Sequence, residues 1–340
     1  MRVIISQNER FLPKDKWFSD FAHNMALNLC KQYPQYGFFL LSYDSKSTLP
    51  LPENASQINV TYPFIINWIC KKWWYEKKIK ATIQQVNADA IISFSHNKAN
   101  TIIPEYRVIL NAAIPQAAAL SNNVRLLTTS MSVKKELMSR QVSEEKIKVI
   151  RPYIEDVYAP ADFDTAEEVK KKHAAGKEYF LLDASDTSNA VIINVLKAFS
   201  VFKKWQRSDT QLLLININTN VELNKLLETY KHKQDVQILT DSISRNSEII
   251  SAAFAFIYLP VKDDFGLNLM QAMHCDVPVL TCEADVLKEI GNDAVLYVDA
   301  ADVKDISEKL IKVFKDEKLR NQLIQKSRIQ LKELAAEDIL

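Results

Sequence analysis

The side chains best suited to chemistry follow an apolar run, Phe254 to Leu259, in the order Lys262, Asp263, Asp264, Phe265, Gly266, Leu267 and then Gln271. Gly266 opens a helical pattern. A glycine there lets backbone N–H groups approach a negatively charged ligand, and the helix N-terminus adds about half a positive charge. Asp263 offers a carboxylate and Gln271 a neutral acceptor. The plain alternative makes Asp263 and Asp264 solvated acids that favour the helix start, and Gln271 a surface residue. A second polar group, Asp183, Ser185 and Asp186, follows another apolar run in LLDASDTSNAVIINVLKAF. In the first half, Asn111 in RVILNAAIP and His96 in SFSHNK follow apolar runs in the same way. Asn111 can hydrogen-bond a hydroxyl but cannot do a histidine's acid/base work, and His96 is more often a hydrogen-bonded structural residue than a ligand.

These residues need elements to hold them. Strand-like runs occur at Val3 to Ser6, Phe38 to Tyr43, Ala90 to Phe94, Arg107 to Ala113 and Leu126 to Ser130, with an amphipathic stretch from Trp17 to Tyr33. A second series follows at Tyr179 to Asp183, Gln211 to Ile217, Val236 to Leu239, Phe254 to Leu259, Val277 to Thr281 and Ala294 to Val298. Strands alternating with helical segments predict an α/β chain with parallel, doubly wound sheets. In such sheets ligands sit at the carboxyl ends of the strands, where the residues above fall. The stretch 156–176, with Pro160, Gly176 and a charged middle, reads as a linker. The expected domains are therefore 1–155 and 177–340, facing each other across a cleft.

Composition narrows the chemistry. The 340 residues suit two domains. Only four glycines are present, Gly37, Gly176, Gly266 and Gly291, so the clustered glycines of a phosphate-binding loop or a dinucleotide fingerprint are missing. The four cysteines form no CxxC pair and the five histidines are scattered, so no metal site and no disulfide framework are expected. The N-x-S/T matches at Asn54 and Asn59 read as chance. No run approaches the roughly 20 apolar residues of a membrane span, and MRVIISQNER reads as a first strand, which predicts a cytoplasmic protein. Residues 1–150 hold 19 Lys and Arg against 11 Asp and Glu, a balance of +8, and the remainder holds 24 against 31, a balance of −7. Opposite halves fit two apposed domains and allow an anionic partner for the first. No RNP-like or dense basic motif points to nucleic acid.

The segment from Phe254 to Leu323 resembles the donor-domain signature of the group 1 (retaining, GT-B) glycosyltransferases, an E-x7-E motif around GFGL between two strands. TTSMSVKKELMSRQVSEEKIKVIRP resembles that family's last N-domain strand and helix. The resemblance implies two Rossmann-like domains and transfer of a hexose from a nucleoside diphosphate sugar to a glycan or lipid acceptor, with no cofactor. Asp263 falls where the family holds donor-sugar hydroxyls and Gln271 where it holds the ribose, while Phe265, Gly266 and Leu267 complete the donor motif. Asn111 stands in the place of a His-Asp pair, so Asp263 and Asn111 are the candidate catalytic residues. Transfer in this family leans little on side-chain acid/base groups.

The family's Arg and Lys for the diphosphate correspond to Ser185 and Ala190. Losing two charge-assisted bonds of about 1.5 to 3 kcal/mol each predicts donor binding weaker by roughly two to four orders of magnitude. Lys262 is the candidate compensating cation. A non-catalytic protein of the same fold, acting as a binding or assembly partner, is the alternative. INWICKKWWYEKKIK carries five lysines and three tryptophans, and Trp74 falls among Lys71, Lys72 and Lys78. That pattern is expected either of a plain surface helix or of a peripheral contact with anionic lipid. The sequence stops at LKELAAEDIL, without the aromatic-bearing last helix that the resemblance leads one to expect, so either the chain is trimmed or the domains are held together differently.

Overall fold

The structure, a computed structural model, describes residues 1–6, 25–42, 51–60, 68–94, 102–109, 122–151, 154–217, 221–239, 246–263 and 265–334. One compact unit takes in Met1–Tyr153 and a second Ile154–Glu337.

The first unit contains β1 (Arg2–Ser6), β2 (Gly37–Ser42), β3 (Ala55–Asn59), β4 (Ala90–Ser93), β5 (Glu105–Ile109), β6 (Val124–Thr128) and β7 (Ile147–Val149). They form one sheet in the order β3-β2-β1-β4-β5-β6-β7, every pair parallel. Its described helices include α1 (25–32), α2 (Trp68–Val86) and α3 (Met131–Ser139). β3 and β7 are absent from the sequence reading. β3, ASQIN, is a polar edge strand and β7 has three residues, so neither carries a buried apolar run. Asn54 donates to the carbonyls of Cys30 (2.8 Å), Tyr33 (3.2 Å) and Tyr36 (3.2 Å), and so fastens the end of α1 to the approach to β3.

In the second unit β8 (Tyr179–Asp183), β9 (Gln211–Ile215), β10 (Val236–Ile238), β11 (Ala255–Tyr258), β12 (Val279–Thr281) and β13 (Leu296–Tyr297) form a parallel sheet in the order β10-β9-β8-β11-β12-β13. This is the Rossmann order, whose direction reverses between β8 and β11. Both faces are covered by helices, α6 (Val221–Thr229) and α7 (Asn246–Ser251) among them, so the strands read as continuous apolar runs. Phe180 and Leu182 face α5 (Asn189–Gln206) and α10 (Val303–Lys315), with Phe199, Phe202 and Leu310 in the same cluster. Tyr179 and Leu181 face the other way, toward a core containing Leu269 of α8 (Leu267–His274) and Leu287 of α9 (Asp285–Gly291).

The linker stretch differs from its reading. It contains α4 (Phe163–Ala174), started by Asp162, whose side chain accepts from the Thr165 N–H (2.8 Å). The helix ends at Ala175 and Gly176, both left-handed. Val169 and Ala174 are buried in the second unit's core, and the charged residues that suggested a linker make the outer face, where Lys170 pairs with Glu178 (2.7 Å). The scarcity of glycine shows elsewhere as well. Asn87, Gln141, Ala175, Asp186, Arg207, Asn216, Asp276 and Asn292 all have positive φ. A last helix, α11 (Glu317–Leu334), is tied to Asp276, two residues past the end of α8, by Arg328 Nε, which donates to Asp276 Oδ1 (2.9 Å). Among the described residues no helix is long and apolar enough to cross a membrane.

Candidate functional site

Register brings the ends of the strands into one row. Asp183, the last residue of β8, lies beside Ile215 of β9 and Tyr258 of β11, and Tyr258 lies beside Thr281. The loops leaving β8 and β11 therefore start side by side where the strand order reverses. They are sewn together: Val261 N–H donates to the Asp186 carbonyl (2.8 Å), and Thr187 Oγ1 to the Leu259 carbonyl (3.2 Å). Ser188 then caps α5 by accepting from the Val191 N–H (3.4 Å).

Asp183 is buried. Its Oδ1 accepts from the Ser185 N–H (2.9 Å) and from Asn216 Nδ2 (3.1 Å), and its Oδ2 accepts from Asn268 Nδ2 (3.0 Å). Burial pushes its carboxyl above the usual range, the donors from Ser185 and Asn216 pull it back, and Asp186 pushes it up again. Asn268 Nδ2 also donates to Ser185 Oγ (2.9 Å). Asp183, Ser185, Asn216 and Asn268 thus form one polar cluster, at the carboxyl ends of β8 and β9 and the first turn of α8.

Asp263 sits at the start of α8. Its Oδ1 accepts from the Phe265 N–H (2.7 Å) and the Gly266 N–H (2.8 Å), and its Oδ2 accepts from Tyr258 Oη (2.9 Å). The Gly266 N–H, one of the backbone groups expected near a ligand, is here taken by Asp263. The aspartate arm is short enough to fold back and take both donors in a turn. Glycine is needed at 266 for two reasons: φ is +64°, and a Cβ would run into Ile290 Cδ1. Burial, then the Asp263 charge, hold the Tyr258 hydroxyl well above its ordinary pKa, so it stays a donor.

The remaining sequence candidates divide. Phe265 is buried and Leu267 packs on the core, so both side chains serve the fold. Gln271 is half-buried further along α8, and Lys262 is exposed beside Asp263. Ala190 is exposed in the first turn of α5. Asn111, His96 and Asp264 lie outside the described residues. Lys71, Lys72 and Trp74 lie in α2 but their side chains are outside the described part, whereas Lys78 is exposed. Sequence reasoning missed Asn216 and Asn268. Asn268 stood inside the motif, and its polar side chain between Leu267 and Leu269 was the available signal. Among the described residues no three or more His, Cys, Asp or Glu come together to hold a metal ion.

Known proteins resemble this chain in sequence and in fold. Residues 164–330 match the model of the family described as Glycosyl transferases group 1. O-antigen chain mannosyltransferase B of Escherichia coli is 31% identical over 90 residues, covering 26% of this chain and 24% of that protein, so the match spans about a quarter of that relative's length. N-acetyl-alpha-D-glucosaminyl L-malate synthase of Bacillus anthracis is 22% identical over 319 residues, 91% of this chain and 78% of that protein. A glycosyltransferase from Rickettsia africae ESF-5 superposes with a TM-score of 0.78 at 14% identity, covering 98% of this chain and 93% of that one. Anabaena Alr3699/HepE, in complex with UDP and glucose, gives 0.66 at 10% identity, covering 97% and 94%. At these identities the structural matches establish the fold, two Rossmann-like domains of the GT-B type.

Proposed function

We propose, from the match of residues 164–330 to the group 1 glycosyl transferases, that this protein transfers a hexose from a nucleoside diphosphate sugar to a glycan or lipid acceptor. The observation that carries the reading is the polar cluster at the reversal point of the second sheet, inside the matched region. Asp183, Ser185 and Asn216 lie on one side of it, and Asp263 with the start of α8, Asn268 included, on the other. A likeness to a structure holding UDP and glucose supports a donor of that class.

In this reading Ser185 and the exposed Lys262 face the diphosphate, Gln271 the ribose, and Asp263 shapes the loop around the sugar. Asn111 serves the acceptor side. With neutral groups where the family has cations, donor affinity falls toward millimolar. The reading also gives α2 a part: Ile79 is buried while Lys77, Lys78 and Lys80 are exposed, which supports a lysine-bearing face for an anionic lipid surface.

Titration with UDP, GDP and their sugars, followed by thermal midpoint and by calorimetry, tests the donor class, because a ligand that binds only the folded state raises the midpoint. A rise with one nucleotide family, and release of that nucleoside diphosphate from its sugar when acceptor is added, is the expected result. No response to any of them at about ten millimolar would leave a non-catalytic protein of this fold as the better reading.

A further inference from the structure

We infer that Asn268 is a positioning residue of the donor site, which fixes the start of α8 against the loop after β8 through the buried carboxylate of Asp183; the inference deepens the nucleotide-sugar reading and rests on it. The two N–H groups of one amide are shared between Asp183 Oδ2 (3.0 Å) and Ser185 Oγ (2.9 Å), which lie 85 and 83 residues away in the chain. Asp183 is only 3% exposed, and its hydrogen-bond donors among the described residues are all neutral: one backbone N–H and two side-chain amides.

A buried carboxylate held by neutral donors depends on each of them, because an acceptor left without its partner keeps the whole cost of desolvation. Asn216 and the Ser185 N–H come from the same side of the reversal point as Asp183 itself. Asn268 is the donor that comes from α8. Its amide therefore sets the separation between Ser185 and the Lys262 to Gly266 turn, the two groups between which a diphosphate and its sugar would lie. The oxygen of Ser185 is committed to Asn268, so the orientation of this hydroxyl depends on the same amide.

Reversing the pair tests the inference. Asn268→Asp sets a second carboxylate against Asp183. Adding Asp183→Asn exchanges donor and acceptor: the new amide at 183 keeps an oxygen for the Ser185 N–H and Asn216 and donates to the new carboxylate at 268. Calorimetry with UDP and GDP should show affinity falling about 10- to 100-fold in Asn268→Asp and returning to within about threefold of wild type in the double variant. Hydrogen exchange on the ligand-free proteins should show amides 183–188 and 265–270 opening faster in the single variant and at the wild-type rate in the double.

Should Asn268→Asp fail to fold, Asn268→Ala deletes the bridge without adding charge and should give the same loss of affinity and the same faster exchange. Wild-type affinity in the single variants, or a double variant as defective as Asn268→Asp, overturns the inference. Failure of the wild type itself to bind any nucleoside diphosphate counts against the donor-site reading, and the exchange pattern still decides whether Asn268 holds the two segments together.

Discussion

Tyr258 Oη donates to Asp263 Oδ2 over 2.9 Å, so the residue that ends β11 fastens the acid that closes the turn into α8. Removing that hydroxyl leaves a partly buried carboxylate with one donor fewer, and hydrogen bonds to charged groups contribute about 1.5 to 3 kcal/mol. Tyr258→Phe should lower the unfolding free energy by about 1 to 2 kcal/mol, and Asp263→Ala by more, since it also strands the Phe265 and Gly266 N–H groups. Urea titration gives both values, and a Tyr258→Phe midpoint equal to wild type would show that the contact is not a stabilising one.

Gly266→Ala should be costly for two separable reasons. The left-handed φ of +64° costs about 1 kcal/mol for a residue with a Cβ. The collision with Ile290 adds about 1 to 3 kcal/mol of overpacking. Ile290→Val removes the atom that is struck, so the double variant should be less destabilised than the sum of the two single changes. Strict additivity in denaturant midpoints would mean that the backbone conformation alone selects glycine.

The first turn of α5 offers a test of the proposed donor site. Ala190 is exposed in its first turn, whereas Ser185 is engaged by Asn268, so a cation added at 190 does not disturb the cluster. Ala190→Lys should tighten nucleoside diphosphate binding by about tenfold, and Ser185→Arg should not, because it breaks the Asn268 contact. Calorimetry with each variant distinguishes them; equal gains would show that Ser185 is free to be replaced.

Stability should depend on pH through the histidines. His173, His232 and His274 are each held below the ordinary 6.5, first by burial. The unfolded chain then binds more protons than the folded one between the lowered values and 6.5. The contribution is complete above 6.5 and is lost as pH falls through the folded values. The unfolding free energy should therefore rise with pH up to about neutrality, with His274→Gln showing a shallower rise. A slope of opposite sign over that range would contradict the assignment of burial as the dominant cause.

If α2 rests on anionic lipid, vesicles containing phosphatidylglycerol should sediment the protein, salt should release it, and Trp74→Ala or Lys78→Glu should weaken the association. Retention on neutral vesicles, or indifference to salt, would remove the electrostatic basis of that proposal.

What could be read from residues alone follows the physics of burial. β8 and β11 are buried on both faces, so YFLLD and the AFIY run announce themselves. β3 has a neighbour on one side only and α4 presents a charged outer face, and each misled for that reason. At the site, the spacing from Asp263 to Gln271 was legible because it is local. The bond from Asn268 to Asp183 was not, since the two meet only after β8 and β11 have paired. Nor did the sequence reveal that the aspartate arm would turn inward to take the Gly266 N–H, which depends on a distance of one methylene.

The left-handed residues that end so many elements also shape the chain before it folds. Where most proteins place glycine after a helix, this one places Ala175, Arg207 and Asp276. Each carries a cost of about 1 kcal/mol in the folded state, yet a side chain also denies the unfolded ensemble much of the freedom a glycine would have. The turns thus narrow the search as well as straining the result, and the balance between the two is set separately at each position. At Ala175, Arg207 and Asp276, evolution or an engineer could move it one turn at a time, with little consequence for the strands whose carboxyl ends carry the candidate site.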